Sequence, residues 1–439
     1  MHTRGTQVHA IKLTLFLGTL CLYQLALATP TWRALHQRYG IDTDQHAFCF
    51  RSNSGEILGE NIHAPVRLAS VSKILTALWS IETLGNKFQY NTRFYFKDGH
   101  LHIKGSKDTI FSRRKLFYLV NQLNHYGIKS IKKLTFDDKT LVFANAEGYV
   151  GHVLEITASR TAQNLKDFLT TTEWNKLLPV YQNFYAQTPQ ELRDLFQLKS
   201  LPELELSIKS VEQKDLPDFS LEEAEITFSV LSSALEDYMK FMNIVSNNYI
   251  ADQSFKNLGG EEAFNKYVKE LIKINFPEVA QELKNGENTE NLIKLYTGSG
   301  LNTKRGGSRV DNFATCALII NLIERFYHLS LELETKIQNM MAVVAVDNGT
   351  FKTRLRAPIL ENSIVAKTGT LYHTSSLAGL IHAQDGLVPF GIFHQITGGK
   401  TQVRQIQNEI VRTLVDQYGG PKPFSYTPHF FFPVSDEIF

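Results

Sequence analysis

The sequence predicts a mixed α/β (α+β) fold with a second α/β lobe inserted into it, and three observations predict this. A buried helix begins at Ser70, because the run that follows is apolar nearly all round. Two strands, over residues 375–383 and 387–396, are joined by a Gln-Asp-Gly turn, which is a hairpin signal. Between these parts the charge and hydrophobic patterns change. The chain therefore divides into a core of residues 29–96 and 226–439 and an insert of residues 97–225.

The first 28 residues have the three-part layout of a secretory signal peptide. Arg4 and Lys12 supply positive charge, residues 13–27 form an apolar run, and Ala26-Leu27-Ala28 is a small-x-small cleavage site. The run is shorter than the roughly 20 apolar residues that span a bilayer. We expect an exported protein, periplasmic or otherwise extracytoplasmic, with at most peripheral membrane association. An uncleaved N-terminal anchor is the alternative.

Charge and cysteine content narrow the classes of function. The chain has 46 Lys and Arg against 44 Asp and Glu, so no nucleic-acid partner is expected. HExxH and CxxC are absent and the histidines are scattered, so we expect no metal and no other cofactor. Cys49 and Cys316 remain after the leader. An oxidising compartment permits a disulfide between them, and two buried free thiols are equally compatible with the sequence.

The insert begins with an amphipathic helix. Leu116, Leu119, Val120 and Leu123 lie at i, i+3, i+4 and i+7, and a strand is expected over residues 134–136. Basic residues come early in the insert and acidic residues late. They are Lys104, Lys107, Arg113, Arg114, Lys115, Lys129, Lys132 and Lys133, then Glu203, Glu205, Glu212, Asp215, Asp218, Glu222, Glu223 and Glu225. Two solvated faces explain this pattern, and a basic patch facing an anionic polymer is the alternative.

After the insert the pattern returns to helices and then to strands. One apolar face of a helix near the C-terminus is marked by Val403, Ile406, Ile410, Val411 and Leu414. The segment 424–439 that follows is aromatic. We expect it to pack on the core, and docking of a partner is the alternative.

Ser70 and Lys73 form an SxxK pair at the start of the buried helix. A side chain three residues along a helix lies on the same face as the hydroxyl. A lysine held there and partly desolvated can lose its proton and act as base for the serine. Two other SxxK matches, at 112–115 and 130–133, lie among charged residues. We therefore predict Ser70 as nucleophile and Lys73 as its base.

Ser246-Asn247-Asn248 has the form SxN. A hydroxyl can relay a proton, and an amide can hold a substrate carbonyl. Residues of these types are common, so the motif alone is a weak signal. It gains weight from its position between the SxxK pair and a third motif.

The third motif is Lys367-Thr368-Gly369-Thr370, which follows an apolar run and predicts a strand edge. A fixed positive charge and a hydroxyl at such an edge can bind a carboxylate. Gly369 lets the backbone approach a substrate closely. SxxK on a buried helix, then SxN, then KTG on a strand make a combination that chance rarely produces.

The three motifs together resemble those of the class C low-molecular-mass penicillin-binding proteins, the D-alanyl-D-alanine carboxypeptidase/endopeptidases of the penicillin-binding protein 4 type. The resemblance covers roughly residues 32–140 and 226–415. Other segments that match the family are 68–77, 84–85, 90–92, 298–301, 349–354, 377–379 and 385–386. The resemblance implies a penicillin-recognising serine transpeptidase/β-lactamase-like core, an antiparallel sheet with a cluster of helices.

The resemblance also implies catalytic roles. Ser70 would attack the D-Ala carbonyl and form an acyl-enzyme, with Lys73 as the base. Ser246 would pass a proton to the leaving amine. Backbone N–H groups of Ser70 and Thr370 would form the oxyanion hole, and water would then release the product.

Substrate binding is implied in the same way. Asn248 would hold the substrate amide, and Lys367 and Thr368 would bind the terminal carboxylate beside Gly369. The partners would be peptidoglycan stem peptides, with β-lactams as covalent inhibitors.

Two residues are further candidates for substrate binding. Arg354 lies in a GTLxxR-like segment, where the family places an arginine for the free end of the diamino-acid side chain. Asp138 is the best candidate for a contact with the side-chain amine. Thr297 stands where the family usually has Asp, and residues 144–225 match nothing in it. The short insert favours a single lobe, and hence an open cleft that admits cross-linked peptides.

We therefore expect an exported serine D,D-peptidase that hydrolyses D-alanyl-D-alanine and D-alanyl-diaminopimelyl bonds. A β-lactamase-like hydrolase is one alternative, but it needs a water-activating carboxylate and no ExxLN-like segment is present. A catalytically silent wall-binding scaffold is the other, and the three intact motifs argue against it.

Overall fold

The computed structural model of the chain describes residues 32–152, 154–279, 289–356, 360 and 362–435. The expected signal peptide of residues 1–28 lies outside this part. Within it, no helix combines the length and the apolar character that crossing a bilayer requires.

The described strands and helices follow the chain in a mixed order. The strands are Ala47–Arg51 (β1), Ile57–Glu60 (β2), Pro65–Arg67 (β3), Asn91–Lys97 (β4), His100–Lys104 (β5), Lys133–Phe136 (β6), Ser210–Gln213 (β7), Ile226–Leu231 (β8), Ile293–Lys294 (β9), Thr303–Arg305 (β10), Ser308–Val310 (β11), Phe313–Thr315 (β12), Ala342–Val343 (β13), Ile364–Leu371 (β14), Thr374–Ala383 (β15) and Gly386–His394 (β16). The helices are residues 32–38 (α1), Ser72–Leu84 (α2), Arg113–His125 (α3), Ala158–Leu169 (α4), Thr171–Gln187 (α5), Gln190–Leu195 (α6), Leu235–Val245 (α7), Asn248–Asn257 (α8), Gly260–Asn275 (α9), Thr289–Leu292 (α10), Cys316–Glu332 (α11) and Lys400–Gln417 (α12).

The core is a six-stranded antiparallel sheet in the order β13-β14-β15-β16-β1-β2. The expected hairpin is β15 and β16, and β16 pairs with the N-terminal strand β1. Alternate residues of a strand point to opposite faces, so Val365 packs with α2 and α11 while Ala366 packs with α1 and α12. Helices therefore cover both faces of the sheet. The parts of the core before and after the insert belong to this one sheet, because β1 pairs with β16.

Helix α2 runs through the middle of the core. Its first ten residues, 72–81, are all buried, as the apolar run predicted. The polar side chains among them find partners, because Thr76 Oγ1 donates to Gly298 O at 2.7 Å and Ser80 Oγ donates to Thr76 O at 2.7 Å. Gly85, with a φ of 85°, ends the helix in a conformation that favours glycine.

The two cysteines form a disulfide. Cys49 lies on β1 and Cys316 begins α11, and both are fully buried. The alternative of two free thiols is thereby excluded in this structure. The bond joins the central sheet to one of the helices that cover it.

The insert folds around one five-stranded sheet in the order β7-β6-β5-β4-β8. Leu116, Leu119, Val120 and Leu123 on α3 are fully buried against it, within a single apolar cluster. This is consistent with the one lobe that the length of the insert favours. Strands β4 and β8 of this sheet extend several residues outside the expected insert bounds of 97 and 225.

Many charged residues of the lobe pair with one another. Lys133 contacts both Glu212 and Asp218, Lys129 lies 3.3 Å from Glu203, and Lys115 is buried against Asp108. The early basic residues therefore do not form one free patch, because late acidic residues neutralise part of it. Exposed pairs of this kind contribute about 0–1 kcal/mol each.

The C-terminal segment 424–435 packs on both the core and the lobe. Tyr426 OH donates to Asp347 Oδ1 at 2.7 Å in the core. Phe431 stacks on Phe241 of the core at 4.4 Å between ring centroids. Phe432 stacks on Phe196 of the lobe at 4.7 Å. The segment therefore joins the two parts, in line with the packing that its aromatic content led us to expect.

Candidate active site

Ser70 lies where the chain enters α2. It belongs to a single 3-10 turn, Ala69–Val71, and α2 itself begins at Ser72. Ala69 has a φ of 49°, in the left-handed region that costs a residue with a Cβ some strain. A Cβ on Gly300 would overlap the carbonyl oxygen of Ala69, so only glycine fits opposite this bend. The turn leaves the Ser70 side chain half-buried at the start of the buried helix.

Lys73 is fully buried beside Ser70. Its Nζ lies 3.0 Å from Ser70 Oγ, 2.7 Å from Asn248 Oδ1 and 2.8 Å from Ser299 O. Burial lowers the pKa of Lys73 to about 7, against the opposing charge of Asp252. A substantial fraction of Lys73 is therefore neutral near neutral pH.

The partners of Lys73 orient its lone pair. Ser299 O and Asn248 Oδ1 can only accept hydrogen bonds, and a neutral amine has two N–H groups to donate. Both N–H groups are used by these two acceptors. The lone pair then faces the Ser70 hydroxyl, which donates to it, as a general base for a serine nucleophile requires.

The lobe fixes the orientation of Asn248. Its Nδ2 donates to Val150 O at 2.6 Å and to Gly151 O at 3.0 Å, so its Oδ1 must face Lys73. The neighbouring Asn247 donates from Nδ2 to the main-chain oxygens of residues 146 and 147. Both amide hydrogens of Asn248 are thus in use. To hold a substrate carbonyl, Asn248 has to release one of the two lobe carbonyls.

Asp252 is a functional candidate that the sequence analysis missed. It follows Asn248 by one turn of α8, so the two side chains share a face. Its Oδ1 accepts from Ser299 N at 2.7 Å, and among the described residues its buried Oδ2 has no hydrogen-bond partner. Burial raises the pKa of Asp252 to about 6. Asp252 therefore holds the loop of residues 295–302, here called the Ser299 loop, and places a carboxylate near Lys73. The i, i+4 spacing of Asp252 from Asn248 was the signal in the sequence that could have identified it.

Ser246 and Lys367 bring the second and third motifs into contact. Ser246 ends α7 in the left-handed region, with a φ of 56°. Lys367 Nζ donates to Ser246 Oγ at 2.9 Å and to Thr368 O at 2.9 Å. Burial, with Lys73 nearby, lowers the pKa of Lys367 well below its ordinary value. Ser246 thus has a lysine as its proton partner.

Strand β14 presents the rest of the KTG motif along an open edge. Its neighbour β13 pairs only with Val365 and Ala366, so in the described part of the chain no strand pairs with this edge from Lys367 onward. Such an edge can accept an extended peptide. A Cβ on Gly369 would lie 2.6 Å from Leu68 O, so glycine is needed there. Thr368 is half-buried, and the exposed Thr370 accepts a hydrogen bond from Arg404 at 3.3 Å.

Arg354 and Asp138 lie away from the motif contacts. Arg354 Nη2 donates to Gln407 Oε1 at 2.8 Å and to Asn408 Oδ1 at 3.1 Å, both on α12. Burial lowers the pKa of Arg354 to about 10, and its buried Nε has no hydrogen-bond partner among the described residues. Asp138 is exposed after β6. Its neighbour Asp137 accepts the hydrogen bonds of this turn, from Gly105 N, Lys139 N and Thr140 Oγ1.

Clusters of three or more side chains suited to hold a metal ion do not occur in the part of the chain that the structure describes.

The sequence model of the D-Ala-D-Ala carboxypeptidase 3 (S13) family matches residues 41–153 and 201–417. No curated protein matches the chain by sequence. Among solved structures, a predatory peptidoglycan endopeptidase from Bdellovibrio bacteriovorus is 26% identical, with a TM-score of 0.76 over 89% of this chain and 97% of that one.

Two further solved structures are similar to this chain. The penicillin G-acylated form of the Bdellovibrio endopeptidase, in complex with an immunity protein, has a TM-score of 0.73 at 26% identity and covers 88% of this chain and 96% of that one. Penicillin-binding protein 4 from Haemophilus influenzae shares the fold at 18% identity, with a TM-score of 0.56 over 88% of this chain and 99% of that one.

Proposed function

The chain belongs to the D-Ala-D-Ala carboxypeptidase 3 (S13) family, as its motifs led us to expect, and from this premise we propose that it is an exported serine D,D-peptidase of peptidoglycan. It releases the terminal D-Ala of stem peptides and cleaves D-alanyl-diaminopimelyl cross-links. The observation that carries the proposal is that the three motifs meet. Lys73 contacts both Ser70 and Asn248, and Lys367 contacts Ser246.

In the proposed acylation, Ser70 Oγ bonds to the carbonyl carbon of D-Ala while its proton passes to Lys73 Nζ. The carbonyl electron pair moves onto oxygen, where backbone N–H groups of Ser70 and Thr370 stabilise it. Such donors contribute about 3–4 kcal/mol each elsewhere. Ser246 delivers its hydroxyl proton to the leaving amine as the C–N bond breaks and takes a proton from Lys73 in return. The proton lost by Ser70 thereby reaches the amine, and Lys73 is neutral again for the next step.

Deacylation reverses these roles. A water molecule gives a proton to Lys73 and attacks the acyl carbon. The bond to Ser70 Oγ breaks, and Ser70 recovers its proton from Lys73. The products are a free carboxyl on the shortened peptide and the unchanged enzyme.

Binding of the substrate is proposed along the open edge of β14. Lys367 and Thr368 hold the terminal carboxylate, and Asn248 holds the amide carbonyl after releasing a lobe carbonyl. Arg354 binds the free carboxylate of the diamino-acid side chain. Its buried Nε, which has no hydrogen-bond partner in the described part of the chain, supports this role because it is a donor awaiting an acceptor. For Asp138 we keep the prediction of a contact with the side-chain amine, which its exposure permits.

Penicillin acylation is part of the same proposal. The similar endopeptidase from Bdellovibrio bacteriovorus exists in a penicillin G-acylated form, which supports a reactive serine here. A β-lactamase would release penicillin rapidly, and a silent scaffold would not react with it, so the reaction with penicillin separates both alternatives from the proposal.

The test is covalent labelling with a fluorescent penicillin, followed by intact mass measurement and digestion of cross-linked muropeptides. One adduct is expected on the native chain and none on Ser70→Ala. Ser112→Ala is the matched control, because Ser112 begins the other helical SxxK match, and it should keep the adduct. Dimeric muropeptides should yield monomers, and pentapeptides should release D-Ala.

Three outcomes contradict the proposal. An adduct on Ser70→Ala would place the nucleophile elsewhere, and rapid penicillin turnover would favour a β-lactamase. D-Ala release without any cleavage of dimers would contradict both the open cleft and the endopeptidase activity that we propose. Export is checked separately, because cleavage after Ala28 should give an exported chain that begins at Thr29.

A further inference from the structure

A buried chain of hydrogen bonds runs from Arg354 into the core. Arg354 Nη2 donates to Gln407 Oε1 at 2.8 Å, and Gln407 Nε2 lies 3.1 Å from His394 Nδ1. His394 Nε2 lies 3.0 Å from His36 Nε2. His36 Nδ1 lies 2.7 Å from Trp32 O, which is the last group in this series of hydrogen bonds. Four links therefore join a candidate substrate-binding residue to the first helix of the core.

The two ends of this chain determine the direction of every link. Trp32 O can only accept a hydrogen bond, and the Arg354 guanidinium can only donate one. His36 must therefore donate from Nδ1 and accept at Nε2, and His394 must donate from Nε2 and accept at Nδ1. Gln407 then presents Nε2 to His394 and Oε1 to Arg354. A single arrangement of protons satisfies all four links, and in it both histidines are neutral.

The surroundings of the two imidazoles favour this neutral state. His36 and His394 are fully buried, and burial lowers the pKa of His36 and, with His46 and Arg354 nearby, lowers that of His394 well below its ordinary value. His46 lies edge-on to His394 at 5.0 Å, and burial lowers its pKa to about 4 against the charge of Asp42. The helices packed against the two imidazoles are α1 and α12, and Arg38 of α1 forms a salt bridge with Glu409 of α12.

Gln407 also contacts the strand pair that carries the KTG motif. Its Nε2 donates to Ser375 O at 3.1 Å, and Ser375 lies directly opposite Thr370 in the pairing of β15 with β14. Arg404, on the same helix as Gln407, donates to Thr370 Oγ1. The amide of Gln407 thus bonds to Arg354 through Oε1 and to the main chain of β15 through Nε2, and both bonds require the same amide orientation.

We propose that Gln407 is a positioning residue for Arg354, that the His394–His36 pair sets the orientation of its amide, and that acid releases this hold. The inference rests on the proposed function, in which Arg354 binds a free side-chain carboxylate of the substrate. A proton added to the histidine pair puts hydrogens on both sides of one link. A shift of the histidine tautomers removes this conflict between two N–H groups but places an N–H of His394 against the Nε2 of Gln407. The Gln407 amide then has to flip, and its N–H groups face the N–H groups of Arg354.

The proton arrangement can be tested without any substrate. Nitrogen NMR of histidine-labelled enzyme near pH 7.5 should show His36 protonated on Nδ1 and His394 on Nε2, with each signal assigned by its loss in a single histidine variant. The opposite tautomers, or a charged imidazole at that pH, would overturn the inference.

The positioning role is tested by kinetics on paired substrates, a stem peptide with a free side-chain carboxylate and the same peptide with that carboxylate amidated. Gln407→Leu should raise KM for the free form about tenfold, as expected when a hydrogen bond to a charged group is lost. KM for the amidated form and the rate of penicillin acylation should stay within about twofold, the level of a single neutral contact. Gln384→Leu is the matched control, because its exposed amide donates to Pro421 O, away from Arg354, and both substrates should be unaffected.

Gln407→Glu separates positioning from a structural role. A carboxylate accepts from Arg354 and also from a protonated His394, so the hold survives in acid. As the pH falls below 6, KM for the free-carboxylate peptide should rise in the native enzyme and stay flat in Gln407→Glu. Parallel pH profiles would overturn the inference, and so would equal KM changes on both peptides in Gln407→Leu. Loss of D-Ala release and of penicillin acylation in the native enzyme would instead be a failure of the proposed function.

Discussion

Lowering the pH from 8 to 6 should slow the acylation of Ser70 by about tenfold. Lys73 acts as a base only when neutral, and burial lowers its pKa to about 7. About nine tenths of the enzyme then carries neutral Lys73 at pH 8 and about one tenth at pH 6. The rate therefore rises with pH through 7 and levels off above pH 8. A lysine with its ordinary pKa would give a rate that rises about tenfold per pH unit up to about pH 10.

The assay is the second-order rate of labelling by a fluorescent penicillin at constant ionic strength, between about pH 5.5 and pH 9.5. Asp252 acts to raise the pKa of Lys73, so Asp252→Asn should move the midpoint of the profile to lower pH. Asp385→Asn makes the same chemical change at an exposed position in the turn between β15 and β16 and should leave the midpoint unchanged.

Two results would refute this reasoning. A labelling rate that still climbs past pH 9 without a plateau would mean that Lys73 keeps an ordinary pKa or is not the base. A midpoint that moves to higher pH in Asp252→Asn would mean that the carboxylate does not stabilise the ammonium form of Lys73.

Three further predictions concern the frame of the site. Gly300→Ala should abolish penicillin labelling, because its Cβ would overlap Ala69 O. Gly307 has the same φ of 81° but lies in open space, so Gly307→Ala should lose only about 1 kcal/mol of stability and keep labelling. Equal losses of labelling in the two variants would contradict the steric argument. Replacing both Cys49 and Cys316 by Ala, which removes a cross-link across 267 residues, should lower the free energy of unfolding by about 5 kcal/mol in urea titrations, and a loss below about 1 kcal/mol would count against the chain-entropy account. Phe432→Ala should lower the free energy of unfolding by about 3–5 kcal/mol, because the ring is buried between Phe196 and Phe184. The control is Phe430→Ala, at a position that is 40% exposed, which should lower it by less than about 1 kcal/mol. Equal losses would show that segment 424–435 does not join core and lobe.

The fold class and the strongly patterned elements were predictable. The α2 helix and the β15–β16 hairpin follow from apolar runs and turn residues, and the predicted mixed α/β fold with an antiparallel sheet is confirmed by the structure and its similarity to penicillin-binding protein 4. The start of α2 was misplaced by two residues. Ser70 lies in a 3-10 turn that begins with the left-handed Ala69, and alanine carries no propensity that would reveal such a bend.

The candidate site was only partly predictable. The motifs led to Ser70, Lys73, Ser246, Asn248 and Lys367, and the structure brings these side chains together. The orientation of the Lys73 lone pair depends on carbonyl oxygens in the lobe and in the Ser299 loop. Every residue has a carbonyl group, so no sequence pattern marks the ones that matter.

Long-range side-chain networks were equally invisible in the sequence. The contact between His36 and His394 spans 358 residues, and neither residue belongs to a motif. Asp252 differs from them, because its spacing from Asn248 on one helix was readable. Local periodicity thus reveals neighbours on one element, whereas contacts between distant elements need the tertiary fold.

The reactive lysine is completed by parts of the chain that are synthesised long after it. Lys73 is buried only when Asn248 and Ser299 surround it, and β1 gains its second neighbouring strand only when β16 has been made. A nascent chain therefore carries Ser70 beside an ordinary, protonated lysine. We expect the serine to stay inert until folding is finished, so that assembly of the polypeptide itself times the onset of wall hydrolysis.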